Sequence, residues 1–330
     1  MSVLASGSKG NCTVISGAGT SILVDCGMSC REILRRMAMV GEDPAKLDAI
    51  VVTHEHIDHV AGLAVMARRL KIPVFFTEAT HRAWERMTRP RQTMTYKQWL
   101  EKVQREKQER AEAATSGSGL GGEESLAKSS FIEAEPSVID LAACDPATND
   151  SADQNEKRDP AFLPAVEYFQ AGKPFQIGGI EVNPFTIPHD AADPCGFVFH
   201  AGSESIRMAV ATDLGYIPPN VKLALRSVDV LLLESNHDLE MLKDGPYPWS
   251  VKQRVLSRVG HLSNDAAAEF LQRDYDGGAH TIVLGHLSES NNLPELAKMS
   301  AERALGDRLR LLGNRVLLAQ QEAPIEPICL

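Results

Sequence analysis

Residues 51–60 read VVTHEHIDHV, an apolar run that ends in His54-x-His56-x-Asp58-His59. Three of the ten histidines in the chain therefore fall within six positions. Core packing gives imidazoles no reason to cluster this way, whereas a metal ion does. On the extended exit of a strand, side chains at i and i+2 point the same way, so His54 and His56 can share one ion. On a helix they would diverge by about 200°. Asp58 and His59 fall where a following helix begins, and Asp58 suits its first turn. They can face a second ion about 3.5–4 Å from the first. Imidazole and carboxylate without thiolate suit Zn²⁺ or Mn²⁺ at a reactive centre and argue against a closed structural zinc site. Polar decoration of a strand–helix loop does not account for this density.

The motif requires a buried strand followed by a helix, and the rest of the chain supplies the same units. Short β-type runs occur at SVLA, CTVIS and SILVD, and a helical pattern covers 30–40. DAIVVTH reads as a buried strand, HVAGLAVMARRL as one helix, and PVFFT as the next strand. FQIGG/IEVNPFTI and GFVFHA/SIRMAVAT read as hairpins. VDVLLLES and TIVLGH are buried strands separated by helices near 250–259 and 264–273, and a helix and a strand close the chain. Hairpins followed by helices in each half predict an α/β sandwich of two packed sheets covered by outer helices, with the site at a sheet edge.

Between the halves, the stretch 105–160 of the insertion 105–162 holds one aromatic residue (Phe131), a Gly/Ser-rich stretch and no periodicity after about Arg110. Its apolar surface is too small to offset chain entropy, so a disordered, low-complexity insertion is expected within one domain spanning 1–330. Residues 101–160 carry fourteen acids against seven bases, so most of the net charge of −10 belongs to this segment. Net acidity therefore does not exclude a nucleic-acid substrate. No apolar run is long enough to span a bilayer, and MSVLASGSKGN lacks the pattern of a secretory signal. The six cysteines form no CxxC pair, which predicts reduced thiols and a cytoplasmic location.

HxHxDH after a buried strand resembles the signature of the metallo-β-lactamase superfamily, whose fold is a four-layer αββα sandwich. The resemblance extends to LVDCG, TIPHDAADPCGF, VATDLG and IVLGHLS. It implies that Asp25 supports the histidine loop and that His54, His56 and His189 hold one divalent ion. By the same resemblance Asp58, His59 and His286 hold a second ion and Asp213 bridges the two. A water shared by the ions would then be the nucleophile, a chemistry suited to phosphodiesters but open to thioesters and lactams.

Three stretches narrow the substrate. LLLESNHD, VGHLSND and GHLSESNN resemble the nuclease branch, such as ribonuclease Z. They imply that Glu234 and His261 form a proton-shuttling pair acting with Asp58, His261 donating to the leaving group. The stretches SVLASGSKGN, THEHIDHVAGL, ESNHD, PYPWSVKQRVLS and LGHLSESNNLPELA are similar to the YycJ/WalJ subfamily, regarded as 5′-to-3′ exonucleases on duplex DNA ends. His237, Ser288 and Asn291 are candidate substrate contacts, His237 being equally open to a structural role. The loop 6–11 can present backbone N–H groups, Ser8 and Asn11 to a phosphate, with a plain hairpin turn as its alternative. Residues 81–102 hold six bases and interleave Trp84, Tyr96 and Trp99. They form either a phosphate-contacting, base-stacking face or a solvated helix and loop. Competing functions are a small-molecule or cyclic-nucleotide phosphodiesterase, a glyoxalase-type thioesterase, or a non-catalytic binding protein. Retention of every expected ligand disfavours the last.

Overall fold

The computed structural model describes residues 1–89, part of a helix within 97–105, and 159–330 apart from 203 and 204. The chain divides into two compact units, residues 1–89 with 156–330, and residues 90–155. The second unit is described only through that helical stretch, so the insertion expected at 105–162 lies almost wholly outside the described residues. Of its last residues, Ala161 is already buried in the core of the first unit, beside Leu163.

The first unit is built on two sheets. One has six strands in sequence order: β1 (Ser2–Ala5), β2 (Cys12–Gly17), β3 (Thr20–Val24), β4 (Ala49–Val51), β5 (Val74–Phe76) and β6 (Val166–Tyr168). β1 to β3 form an antiparallel meander, and β3 to β6 run parallel. The other has seven: β7 (Phe175–Ile177), β8 (Ile180–Thr186), β9 (Cys195–Ala201), β10 (Ile206–Ala211), β11 (Val230–Glu234), β12 (Thr281–Gly285) and β13 (Arg315–Leu318). β7 to β10 are antiparallel, and β10 to β13 parallel.

Alternation along the strands builds the layers. Val3, Ile15, Ile22, Ala49 and Val51 meet Phe197, Phe199, Val210, Val230, Leu232 and Val283 in the core between the sheets. The intervening residues Leu4, Val14, Leu23, Ile50 and Val52 face outward, onto Ile33 and Met37 of α1 (Cys30–Met39) and Leu63 and Met66 of α3 (Leu63–Leu70). On the second sheet, Leu231, Leu233, Ile282 and Leu284 pack on Phe270 and Leu271 of α8 (Asn264–Arg273) and on Ala297 and Ala301 of α9 (Pro294–Leu305). A period of two feeding two cores is what a sheet buried on both faces requires. The result is the four-layer αββα sandwich.

The single helix expected over 59–70 is two. α2 (Ile57–Val60) ends at Ala61, and α3 restarts after Gly62. At Gly62 the chain passes so close to α1 that a Cβ would lie 2.1 Å from the Met28 carbonyl oxygen. Sequence reading also omitted β6, α5 (Pro219–Ala224), α6 (Leu239–Asp244) and α10 (Asp307–Leu312), each too short for its periodicity to register. α7 (Trp249–Val255) falls within the helix expected near 250–259.

The basic stretch 81–102 begins inside α4 (Glu78–Thr88). Trp84 is buried, stacked on His81 and tilted against Phe76, and is therefore not a base-stacking surface. Arg82 pairs with Glu78, and Arg89 with Glu85 and Asp159. Here the described part is an amphipathic helix with a solvated face. Arg91, Tyr96, Trp99 and Lys102 lie outside the described residues.

Candidate metal centre and its surroundings

The centre lies at the C-terminal ends of strands from both sheets. β3 delivers Asp25, β4 delivers His54 and His56, β8 His189, β10 Asp213, β11 Glu234 and β12 His286. Asp25, Asp213 and His286 adopt positive φ of 61°, 62° and 55°. This left-handed backbone costs on the order of 1–2 kcal/mol per residue outside glycine and turns each chain sharply at its strand end. The Thr53 carbonyl accepts from the Cys195 N–H at 3.0 Å and ties the exit of β4 to the second sheet.

Ligand atoms of His54, His56 and His189 converge within 4.8 Å. His56 Nδ1 and His189 Nε2 are 3.2 Å apart, and His54 Nε2 is buried without a hydrogen-bond partner. His56 is the N-cap residue of α2, yet its ring makes no capping bond and stays free to ligate. Asp58, in the first turn of that helix, places Oδ2 3.5 Å from Nε2 of both His59 and His286. Asp213 links the two groups: its carboxylate lies within 4.8 Å of ligand atoms of both His54 and His59, with Oδ2 3.3 Å from His59 Nε2 and Oδ1 3.2 Å from His286 Nδ1. The structure thus brings together all seven residues that the resemblance singled out.

The far sides of the rings are held as well. His59 Nδ1 meets Asp25 Oδ2 at 2.8 Å, and Asp25 also accepts from the N–H and hydroxyl of Thr53. His286 Nδ1 meets Glu234 Oε1 at 3.0 Å. His189 Nδ1 donates to the Gly260 carbonyl at 3.2 Å. Each of these rings thereby keeps Nε2 for the centre, the arrangement by which outer partners fix a ligating imidazole.

Electrostatics favour a cation here. Burial opposes protonation of His59, but Asp213, Asp25 and Asp58 outweigh it and raise the ring well above the ordinary imidazole range. Burial acts on His286 in the same way and is overcome by Asp213, Asp58 and Glu234. His54, ringed by other imidazoles, is depressed by burial and by His59, which keeps it a neutral donor. Asp213 Oδ2 and the Nε2 atoms of His54 and His286 are buried with no hydrogen-bond partner. Orphaned donor atoms of nitrogen and carboxylate type, crowded by anions, fit divalent ions.

Glu234 is fully buried and accepts on both oxygens: Oε1 from His261 and His286, at 2.8 and 3.0 Å, and Oε2 from the Leu214 N–H at 2.7 Å. Burial pushes this carboxyl up, but the charges and hydrogen bonds of His261 and His286 hold it below its usual range. His261, with Nδ1 committed to Glu234, keeps a half-exposed edge toward solvent.

The remaining candidates separate. Ser8 is exposed on its loop. Asn11 turns inward, with Nδ2 3.0 Å from His59 Nε2 and 3.3 Å from Asp58 Oδ2. Ser288 and Asn291 are both buried, and the Ser288 hydroxyl accepts from the Asn291 N–H at 3.2 Å and from its side-chain amide at 3.3 Å. His237 is buried with neither ring nitrogen partnered, and burial lowers it to about 4. Sequence reading missed Ser6, whose hydroxyl accepts from the His286 N–H at 2.8 Å and lies 3.3 Å from Asn11 Oδ1. It also missed Thr53 and the buried network of Asn236, Asn264 and Asn292, in which Asn236 donates to the His286 carbonyl. Their sequence signal was position: Thr53 directly precedes His54, and Ser6, Asn236, Asn264 and Asn292 lie inside the quoted stretches SVLASGSKGN, LLLESNHD, VGHLSND and GHLSESNN. Ser263 caps α8, its hydroxyl accepting from the Ala266 N–H.

Family comparisons agree with this geometry. A model described as the metallo-beta-lactamase superfamily matches residues 5–126, and one described as the beta-lactamase superfamily domain matches 122–286. The chain is 31% identical over 299 residues to exodeoxyribonuclease WalJ of Streptococcus pneumoniae, covering 91% of this chain and 85% of that one. It is 31% identical over 309 residues to exodeoxyribonuclease YycJ of Bacillus anthracis, covering 93% and 89%. Among solved structures, the metallo-beta-lactamase fold protein YhfI of Bacillus subtilis superposes with a TM-score of 0.57 at 14% identity over 99% of both chains, a likeness of fold alone. Ligand order, sandwich architecture and near-full-length similarity together place this chain in the metallo-β-lactamase superfamily and, within it, in the WalJ/YycJ family.

Proposed function

We propose that this protein is a metal-dependent exonuclease that acts on the ends of duplex DNA, 5′ to 3′, with two divalent ions, Zn²⁺ or Mn²⁺. The observation that carries this reading is the 31% identity, over most of both chains, to relatives named exodeoxyribonucleases. His54, His56 and His189 would hold one ion, Asp58, His59 and His286 the other, and Asp213 would contact both. When bound, such ions supply Lewis acidity and a hydroxide nucleophile at neutral pH.

The protein's own part in the reaction falls to Glu234 and His261. Glu234 stays ionised and fixes the His261 ring through Nδ1, which leaves Nε2 as the proton-carrying atom. As the P–O bond breaks, His261 Nε2 passes a proton to the departing oxygen, and the Glu234 carboxylate holds the ring in place through Nδ1. Asp25, Thr53 and Asn11 keep His59 and Asp58 in place.

The test is cleavage of 5′-labelled duplex DNA by the Mn²⁺-loaded protein beside its Asp58→Ala variant. Early release of the label as short product, lost in the variant, is the expected result. Internal nicking, or cleavage unaffected by the substitution, would overturn it.

A further inference from the structure

The segment that follows α7 reaches the centre through its backbone. The Val259 carbonyl accepts from the Asp190 N–H at 3.1 Å, and the Gly260 carbonyl accepts from His189 Nδ1 at 3.2 Å. Gly260 is obligatory at this bend, since a Cβ would lie 2.2 Å from the Val255 oxygen and 2.3 Å from that of Arg254. Residues 254–261 are thus fixed in register with His189, and His261 follows directly.

Two arginines flank this bend, Arg254 in the last turn of α7 and Arg258 beyond it. Arg254 Nε donates to Asp190 Oδ2 at 2.5 Å, while its side chain stays 60% exposed. Its terminal nitrogens have no protein partner among the described residues. The Asp190 bond holds this guanidinium above its ordinary value against burial, and Asp58 adds to it, so the arginine lies within the field of the metal-centre carboxylates. Arg258 is exposed and sits over the Tyr216 ring, its Cζ 4.6 Å from the ring centroid. Tyr216 closes the turn that begins at Asp213, and Gly215 in that turn packs against the Arg258 backbone. Arg258 forms no ion pair among the described residues. Many exposed bases elsewhere, such as Arg35, Arg82 and Arg273, are neutralised by an acid one helical turn away.

We propose that Arg254 and Arg258 form a phosphate clamp that holds the backbone of the DNA strand beside the centre, on the side of His189 and His261. The inference rests on the nuclease reading above. Asp190 aims Arg254 through one nitrogen and leaves the other two for a phosphate. The Tyr216 ring under the guanidinium restrains Arg258, which removes part of the side-chain entropy that a free arginine loses on binding. Such contacts set position and register but not sequence preference.

The experiment uses the full-length Mn²⁺-loaded protein on 5′-labelled duplex DNA from 50 to 200 mM salt. Wild type is compared with Arg254→Gln, Arg254→Lys, Arg258→Gln and the double glutamine variant, with thermal unfolding as the check on folding. Each glutamine substitution is expected to raise KM roughly tenfold with kcat little changed. Each is also expected to reduce the slope of log KM against log salt by about 0.9, with Arg254→Lys restoring the slope. A purely structural role for Arg254, as an anchor for the His189 loop, would lower kcat and leave the slope unchanged, and that result overturns the clamp. Wild-type cleavage with KM and slope unaltered in the variants also overturns the clamp while the nuclease reading stands. A wild type that cleaves no DNA removes both.

Discussion

Glu234 Oε1 lies 2.8 Å from His261 Nδ1 and, on the same oxygen, 3.0 Å from His286 Nδ1. One carboxylate oxygen thereby orients a candidate proton donor and a candidate metal ligand. The Glu234→Gln substitution keeps the shape but removes the charge. Metal affinity is expected to fall about 10- to 100-fold, as for other partners of ligating histidines. Turnover at saturating metal is expected to fall further, by about 10²-fold, because His261 loses its charged partner. Metal titration and kcat on DNA, measured on the same preparation, separate the two effects. Unchanged kcat at saturating metal would remove Glu234 from proton transfer.

Asn11 spans two loops. Its Oδ1 accepts from the Gly7 N–H at 2.9 Å, and its Nδ2 reaches the Gly7 carbonyl at 3.1 Å as well as Asp58 and His59. The Asn11→Ala variant leaves the Gly7 N–H buried and unpaired, at a cost of about 1–3 kcal/mol. A lower urea midpoint with an unchanged m-value is the expected outcome. A variant equal to wild type in stability would show that the turn closes without this side chain.

Metal binding should release protons. Neighbouring carboxylates raise His59 and His286 well above the ordinary imidazole range, which favours the doubly protonated ring when no ion competes. Coordination through Nε2 expels the extra proton. Calorimetric titration of metal-stripped protein in buffers of different ionisation enthalpy is expected to yield release of one to two protons per chain. Heats independent of buffer would contradict the assignment. Chelation is likewise expected to lower the unfolding midpoint and re-addition of metal to restore it.

His237 makes the fold acid-sensitive. Burial lowers its folded-state value to about 4, against 6.5 for a free ring, while Glu234 and Asp238 oppose the shift and His261 adds to it. Between these values the unfolded chain binds the extra proton. Stability is therefore full above pH 6.5 and falls as the pH drops toward 4, by up to about 3 kcal/mol. In metal-free protein, His237→Gln is expected to flatten the dependence of unfolding free energy on pH over that window. Parallel curves for variant and wild type would show that His237 takes up its proton equally in the folded and unfolded chain.

The local plan was legible in the sequence because it depends on neighbours along the chain. Alternation in SILVD and DAIVVTH places residues on opposite faces of a strand, and the HxHxDH spacing sets two imidazoles on one side of a strand exit. The ligand order from His54 to His286 could be matched because the motifs that carry it follow strands of recognisable pattern. Other features depend on segments far apart in sequence. The break at Gly62 comes from the Met28 carbonyl, and the inward turn of Asn11 from Asp58 and His59. Trp84 lies in a basic stretch that reads as surface, yet the helix turns its ring onto Phe76. Ser6 reaches the His286 backbone across 280 residues of chain. The sequence by itself determined which groups can ligate and on which elements they ride. Only the tertiary structure decided which polar side chains are desolvated together, because that depends on which strand ends the two sheets bring to one edge.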